Sequence, residues 1–227
     1  MKIKLTRKHF ALLPFISGML LFMQVMSVMA SSTPSLRQVI TDGTQTIDIV
    51  YGSGTTVGSP AFSLSALGFS FSSQTSTGTL GGSTQKIRVY NPTADATWTV
   101  SMAATSGTSA VWSGSGTSYD FNDSGTDGSD DADSDSKGGR LTVDASVSTV
   151  AGVPDDSTCS PSTGISKGSS SAFQEVATAV SSITLLTGSA SATTYCRWDL
   201  TDVSLSQVVP ESQPSDTYSL GMTLTIL

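Results

Sequence analysis

The chain has 227 residues, with eighteen acidic residues against eleven basic ones and a single histidine, His9. A net charge of −7 excludes binding of nucleic acid through counterion release, which requires a basic face. Because His9 lies near the N-terminus, the rest of the chain cannot assemble a Ser-His-Asp triad, a Cys-His pair or a histidine-ligated zinc site.

Lys2, Lys4, Arg7 and Lys8 precede an apolar run from Phe10 to Ala30, which Pro14, Ser17, Gly18 and Gln24 interrupt. Val28 and Ala30 are small residues at the −3 and −1 positions of a signal-peptidase cut, and polarity changes abruptly at Ser31. These features predict a secretory signal peptide over residues 1–30 and a single secreted domain over residues 31–227. Cleavage removes four bases and no acid, leaves a charge of −11, and leaves no transmembrane anchor. Such an acidic, Ser/Thr-rich chain suits an extracellular or cell-surface location.

Leu36–Thr41 and Thr46–Tyr51 read as strands around Asp42-Gly43, and Ala61–Phe71 as an extended region whose Phe62, Leu64, Leu67, Phe69 and Phe71 supply core candidates. Gln74–Thr84 reads as a Gly/Ser/Thr connection, and Lys86–Tyr90 as a strand stopped by Asn91-Pro92. In Ala96–Ala103, Trp98, Val100 and Met102 alternate with Thr97, Thr99 and Ser101, the pattern of a half-buried strand. Ala104–Tyr119 reads as loop apart from Val111-Trp112, and β character resumes at Leu141–Val143. Thr149–Ser171 reads as a long surface loop, and Ala172–Val180 as a weak candidate for two helical turns. Ser182–Thr187 is a strand. In Thr194–Val209 the apolar phase slips after Leu200, which predicts a bulge at Thr201-Asp202. In the last strand Tyr218, Leu220, Met222, Leu224 and Ile226 alternate with polar or small residues, which reads as a central core strand. The sum is an all-β chain, an antiparallel β-sandwich of Greek-key or jelly-roll type with long surface loops.

Cys159 and Cys196 are the two cysteines, and in an oxidising compartment such a pair predicts one disulfide. Residues 120–140 form an acidic insertion with seven aspartates. Asp131, Asp133 and Asp135 alternate as the first ligands of calcium loops do, and Asp120, Asn122, Asp123 and Asp127 add hard oxygen donors. Ser136 replaces the glycine of an EF-hand and no Glu closes the loop, so a Ca²⁺ site here would be of another kind; a solvated acidic loop is the alternative. Trp112, in a Gly/Ser loop, is the candidate aromatic for stacking on a ligand.

Trp98-Thr99-Val100, Val203-Ser204-Leu205, Pro210, Tyr218 and Met222–Ile226 together resemble the WxL domain of bacterial surface proteins, with Leu224 where that family has its second tryptophan. The resemblance implies a secreted domain held non-covalently on the cell envelope, with an envelope polymer or surface protein as its partner. Three functions are compatible with these features. The first is a non-catalytic surface β-sandwich, calcium-stabilised or not. The second is a carbohydrate-binding module or a glycosidase-like protein, with Asp199 pointing outward beside Trp198. The third is a pilus-like subunit that assembles by strand exchange. If the acidic insertion binds calcium only when folded, the melting temperature rises with free calcium and falls on chelation; calorimetry that gives one unchanged curve removes the cation.

Overall fold

The computed structural model describes residues 37–123, 125, 137–153, 159–175 and 179–227, and the compact unit is Asp42–Leu227. The described chain is nearly all β. Its strands are β1 (Thr46–Tyr51), β2 (Gln74–Leu80), β3 (Gln85–Asn91), β4 (Trp98–Ala104), β5 (Trp112–Ser113), β6 (Ser118–Tyr119) and β7 (Arg140–Asp144). They continue with β8 (Thr149–Gly152), β9 (Ile165–Lys167), β10 (Ser171–Ala172), β11 (Ser182–Gly188), β12 (Cys196–Thr201), β13 (Val203–Val209) and β14 (Met222–Ile226). One 3₁₀ turn, Gly107–Ser109, is the helical element among the described residues.

Three four-stranded antiparallel sheets pack together, in the orders β1-β3-β12-β8, β10-β7-β13-β2 and β14-β4-β11-β9, and β5-β6 forms a separate hairpin. The first two sheets share a ribbon. The consecutive pairs β2/β3, β7/β8 and β12/β13 each run from one sheet into the other and stay neighbours in both. The layer is therefore folded at a corner, as when strands switch sheets through bends. Asp202 makes the turn with φ 60°, in the left-handed region that few residues other than glycine, asparagine and aspartate accept. Across from it Gly81 has φ 81°, and a Cβ there would stand 3.0 Å from the Leu200 carbonyl oxygen. The expected break at Thr201-Asp202 is thus a change of sheet.

The third sheet covers this layer. Trp98, Val100, Met102 and Ala104 of β4 are buried, as their alternation predicts, and Trp98 meets Trp198 of β12 at 5.3 Å between ring centroids. Around them pack Ile87, Val89, Leu185, Leu186 and Leu200. Gly188 has no side chain because a Cβ would collide with the Trp98 indole. The predicted disulfide is present: Cys159 joins Cys196, the first residue of β12, across a sequence separation of 37.

Several expectations are corrected. Residues 37–41 form no strand, and Val39 and Ile40 are exposed. Leu67, Phe69 and Phe71 are also exposed, because their segment lies outside the edge of β2, bonded through Ser65 N–H to the Thr77 carbonyl at 2.7 Å. Gln74–Leu80 is a full strand, whose Ser and Thr side chains gave no apolar alternation to read. The supposed loop Thr149–Ser171 contains β8 and β9 and leads into β10. In the expected helical stretch Ala172–Val180, Ala172 ends β10 and Gln174 bridges Val180, while 176–178 lie outside the described residues. β14 is an edge strand with half-buried side chains.

Removing the disulfide by Cys159→Ser with Cys196→Ser frees a 37-residue separation in the unfolded chain. Urea unfolding is expected to lose about 4 kcal/mol on chain-entropy grounds.

Candidate functional site

The base of the acidic insertion is part of the core. Asp120, Asn122 and Asp123 are 1%, 1% and 2% exposed. Asp120 Oδ1 accepts hydrogen bonds from the N–H groups of Phe121 and Asn122, at 2.6 and 3.4 Å, and Asp123 Oδ1 accepts one from Gly125 at 3.0 Å. Asn122 Nδ2 donates to the Thr108 carbonyl at 3.0 Å and to Glu175 Oε2 at 3.4 Å. Asn122 Oδ1 is buried and accepts no hydrogen bond among the described residues. Among the described residues no group of three acidic, His or Cys side chains is placed to hold a metal. Asp127, Asp131, Asp133 and Asp135 lie outside the described residues.

Trp112 is half-buried and engaged. Its ring stacks on Tyr119 at 5.9 Å, and its Nε1–H donates to Gln207 Oε1 at 2.9 Å. Gln207, which the sequence reading missed, is fully buried and donates through Nε2 to the carbonyls of Asp120 (3.1 Å) and Val208 (2.8 Å). One amide thus ties the hairpin, the acidic insertion and β13 together. Burial pushes the Tyr119 phenol far above its ordinary value, so it stays protonated. Trp98 and Trp198 are core residues, and the Trp198 indole N–H donates to the Ser160 carbonyl at 2.9 Å.

Asp199 does not present an exposed carboxylate to a sugar. It is 6% exposed, and it accepts from Arg88 Nε at 2.6 Å, Arg88 Nη2 at 3.0 Å and Lys86 Nζ at 3.2 Å. The register sets Asp199 directly opposite Arg88 on the outer face of the first sheet. Burial alone would push the Asp199 carboxyl up; the hydrogen bonds and charges of Arg88 and Lys86 outweigh it and hold the group below its ordinary value of 3.8.

The remaining feature is an open seam. An apolar groove of about 370 Å³ is lined by Met222 and Leu224 of β14, Ile49 of β1, Phe62, Met102 and Leu205. Leu227 N–H and C=O bond reciprocally to Thr99 at 3.0 and 2.7 Å, and the Gly221 carbonyl accepts from Thr105. Antiparallel alternation therefore turns the N–H and C=O groups of Met222, Leu224 and Ile226 away from β4, toward the outer edge. No described strand pairs with that edge.

The other edges are blunted. β1 is covered by its own following loop, where Val57 N–H donates to Ile49 O and Tyr51 N–H to Thr55 O, both at 2.8 Å. The Leu64–Ser65 segment covers β2. β8, β9 and β10 are short, with four, three and two residues. Only β14, uncharged and with alternate apolar side chains, combines length with an unpaired edge among the described strands, and β1 approaches it without pairing. Comparison with family models, characterised proteins and solved structures finds no match to this chain.

The ion pair carries its own prediction. Asp199→Asn leaves Arg88 buried without a counter-charge and is expected to cost about 3–5 kcal/mol in chemical denaturation, whereas Arg88→Met with Asp199→Leu recovers most of that. Since the folded Asp199 value is depressed, its contribution is present above about pH 4 and is lost as the pH falls through the folded value. Acid melting of Asp199→Asn should accordingly be flatter in that range.

Proposed function

We propose that the chain is a secreted, non-catalytic structural subunit of a bacterial cell surface, which joins to a further copy by accepting an extended strand along the outer edge of β14. The observation that carries this reading is the unpaired β14 edge beside an apolar groove of about 370 Å³, where the other long edges among the described strands are covered. Strand addition recruits both elements at once: the edge supplies main-chain hydrogen bonds, and the groove receives alternate side chains.

Several other features support a structural role. The secretory N-terminal pattern, the disulfide and the acidic Ser/Thr-rich composition agree with life outside the cytosol. Beyond residue 30 the chain has no histidine for acid–base work. The engagement of Trp112 by Tyr119 and Gln207 favours this reading over sugar stacking. The exposed Leu67, Phe69 and Phe71 lie on a loop that begins at the groove wall, and they enlarge the apolar surface that a neighbouring copy would cover.

Leu224→Pro removes an outward N–H and inserts a strand breaker while leaving the bonds from Thr223 and Thr225 to β4. Light scattering after size-exclusion chromatography should find oligomers of the parent chain and monomers of this variant, with the fold of the variant retained by circular dichroism. A parent chain that is monomeric at every concentration would refute the proposal.

A further inference from the structure

Resting on that reading, we infer that the strand taken up by the β14 groove is residues 36–41 of a second copy of this chain. The segment Leu36–Thr41 reads as a strand in the sequence, with Leu36, Val39 and Ile40 as its apolar residues ahead of the Asp42-Gly43 turn. Yet residues 37–41 are in no strand of their own chain, and Val39 and Ile40 are 66% and 87% exposed. Large aliphatic side chains left that open mark a surface that another molecule covers. The same chain thus carries a strand without a sheet and a sheet edge without a strand.

Length and charge agree. Six extended residues reach about 20 Å at about 3.4 Å each, enough to cover the five residues of β14. The segment carries Arg37 and no acid, so it meets an acidic protein without like-charge repulsion. The chain next to the segment is anchored: Gly43 N–H donates to the Pro92 carbonyl at 3.0 Å, and Asp42 accepts from the Tyr195 hydroxyl at 2.8 Å and the Ala94 N–H at 3.2 Å. A donor rooted at one site and an acceptor at another make a head-to-tail contact, which builds rings or filaments and not a closed two-fold dimer. The terminal strand β14, with its pairing to β4 complete, is in this arrangement the receiver.

Two full-length variants test the assignment. Val39→Asp with Ile40→Asp alters the donor alone; because both side chains are exposed, the variant should keep the parent's fold by circular dichroism. Leu224→Pro alters the acceptor alone. Each variant by itself should be monomeric in light scattering, and an equimolar mixture should give a one-to-one heterodimer, since one partner keeps a donor and the other a groove. If the donor variant still forms oligomers that Leu224→Pro abolishes, the assignment of residues 36–41 falls while strand addition stands. If Leu224→Pro also assembles like the parent, strand addition itself falls. Two monomeric variants that do not combine on mixing would overturn the transfer between copies.

Discussion

The architecture depends on a backbone constraint at the corner between the first two sheets. Three adjacent ribbons must change direction in step, and at the facing positions Gly81 and Asp202 two of them do so through left-handed conformations. The third turns at Ala145–Ser148, where Ser148 Oγ–H donates to the Ala145 carbonyl at 2.6 Å. Because the ribbons remain paired on both sides of the bend, one continuous layer supplies two walls of the core. Trp198, Leu200 and Val203 come from one stretch of chain yet serve both walls. The third sheet closes the space through the contact between Trp98 and Trp198. The seam beside β14 is what this closure leaves over.

How much of this could be read in the sequence depended on whether a residue's environment is set by near or distant neighbours. The alternation of Trp98, Val100 and Met102 reports a half-buried strand because face is a local property with period two. The slip after Leu200 was visible for the same reason. β14 shows the limit: alternation gives the face of a strand and says nothing of how many strands flank it, so an edge strand was read as a central one. β2 escaped notice because Ser and Thr occupy most of it, and a Ser76 with 5% exposure leaves no apolar mark.

The candidate sites follow the same division. The disulfide was legible from the cysteine count alone. Asp199 was not, because the partner that buries it, Arg88, is 111 residues away and is brought opposite only by sheet register. Gln207 looked like an ordinary polar residue on a strand, and its role in fastening the hairpin to the insertion exists only in three dimensions. The aspartates of residues 120–140 drew attention as a group, whereas Asp120 and Asp123 at the base belong to the core.

The pairing of β14 with β4 bears on how the molecule is made. Thr105 and Thr223, whose hydroxyls lie 2.9 Å apart at the end of this pair, are separated by 118 residues. Loops of that span close slowly compared with hairpins, since the entropy of closure must be overcome before any contact rewards it. During synthesis β4 therefore waits, with its Trp98, Val100 and Met102 already present, for a partner made much later. The same strand that later gives the finished molecule its open edge first leaves the nascent chain with a vacant one, so biogenesis passes through a period of aggregation risk.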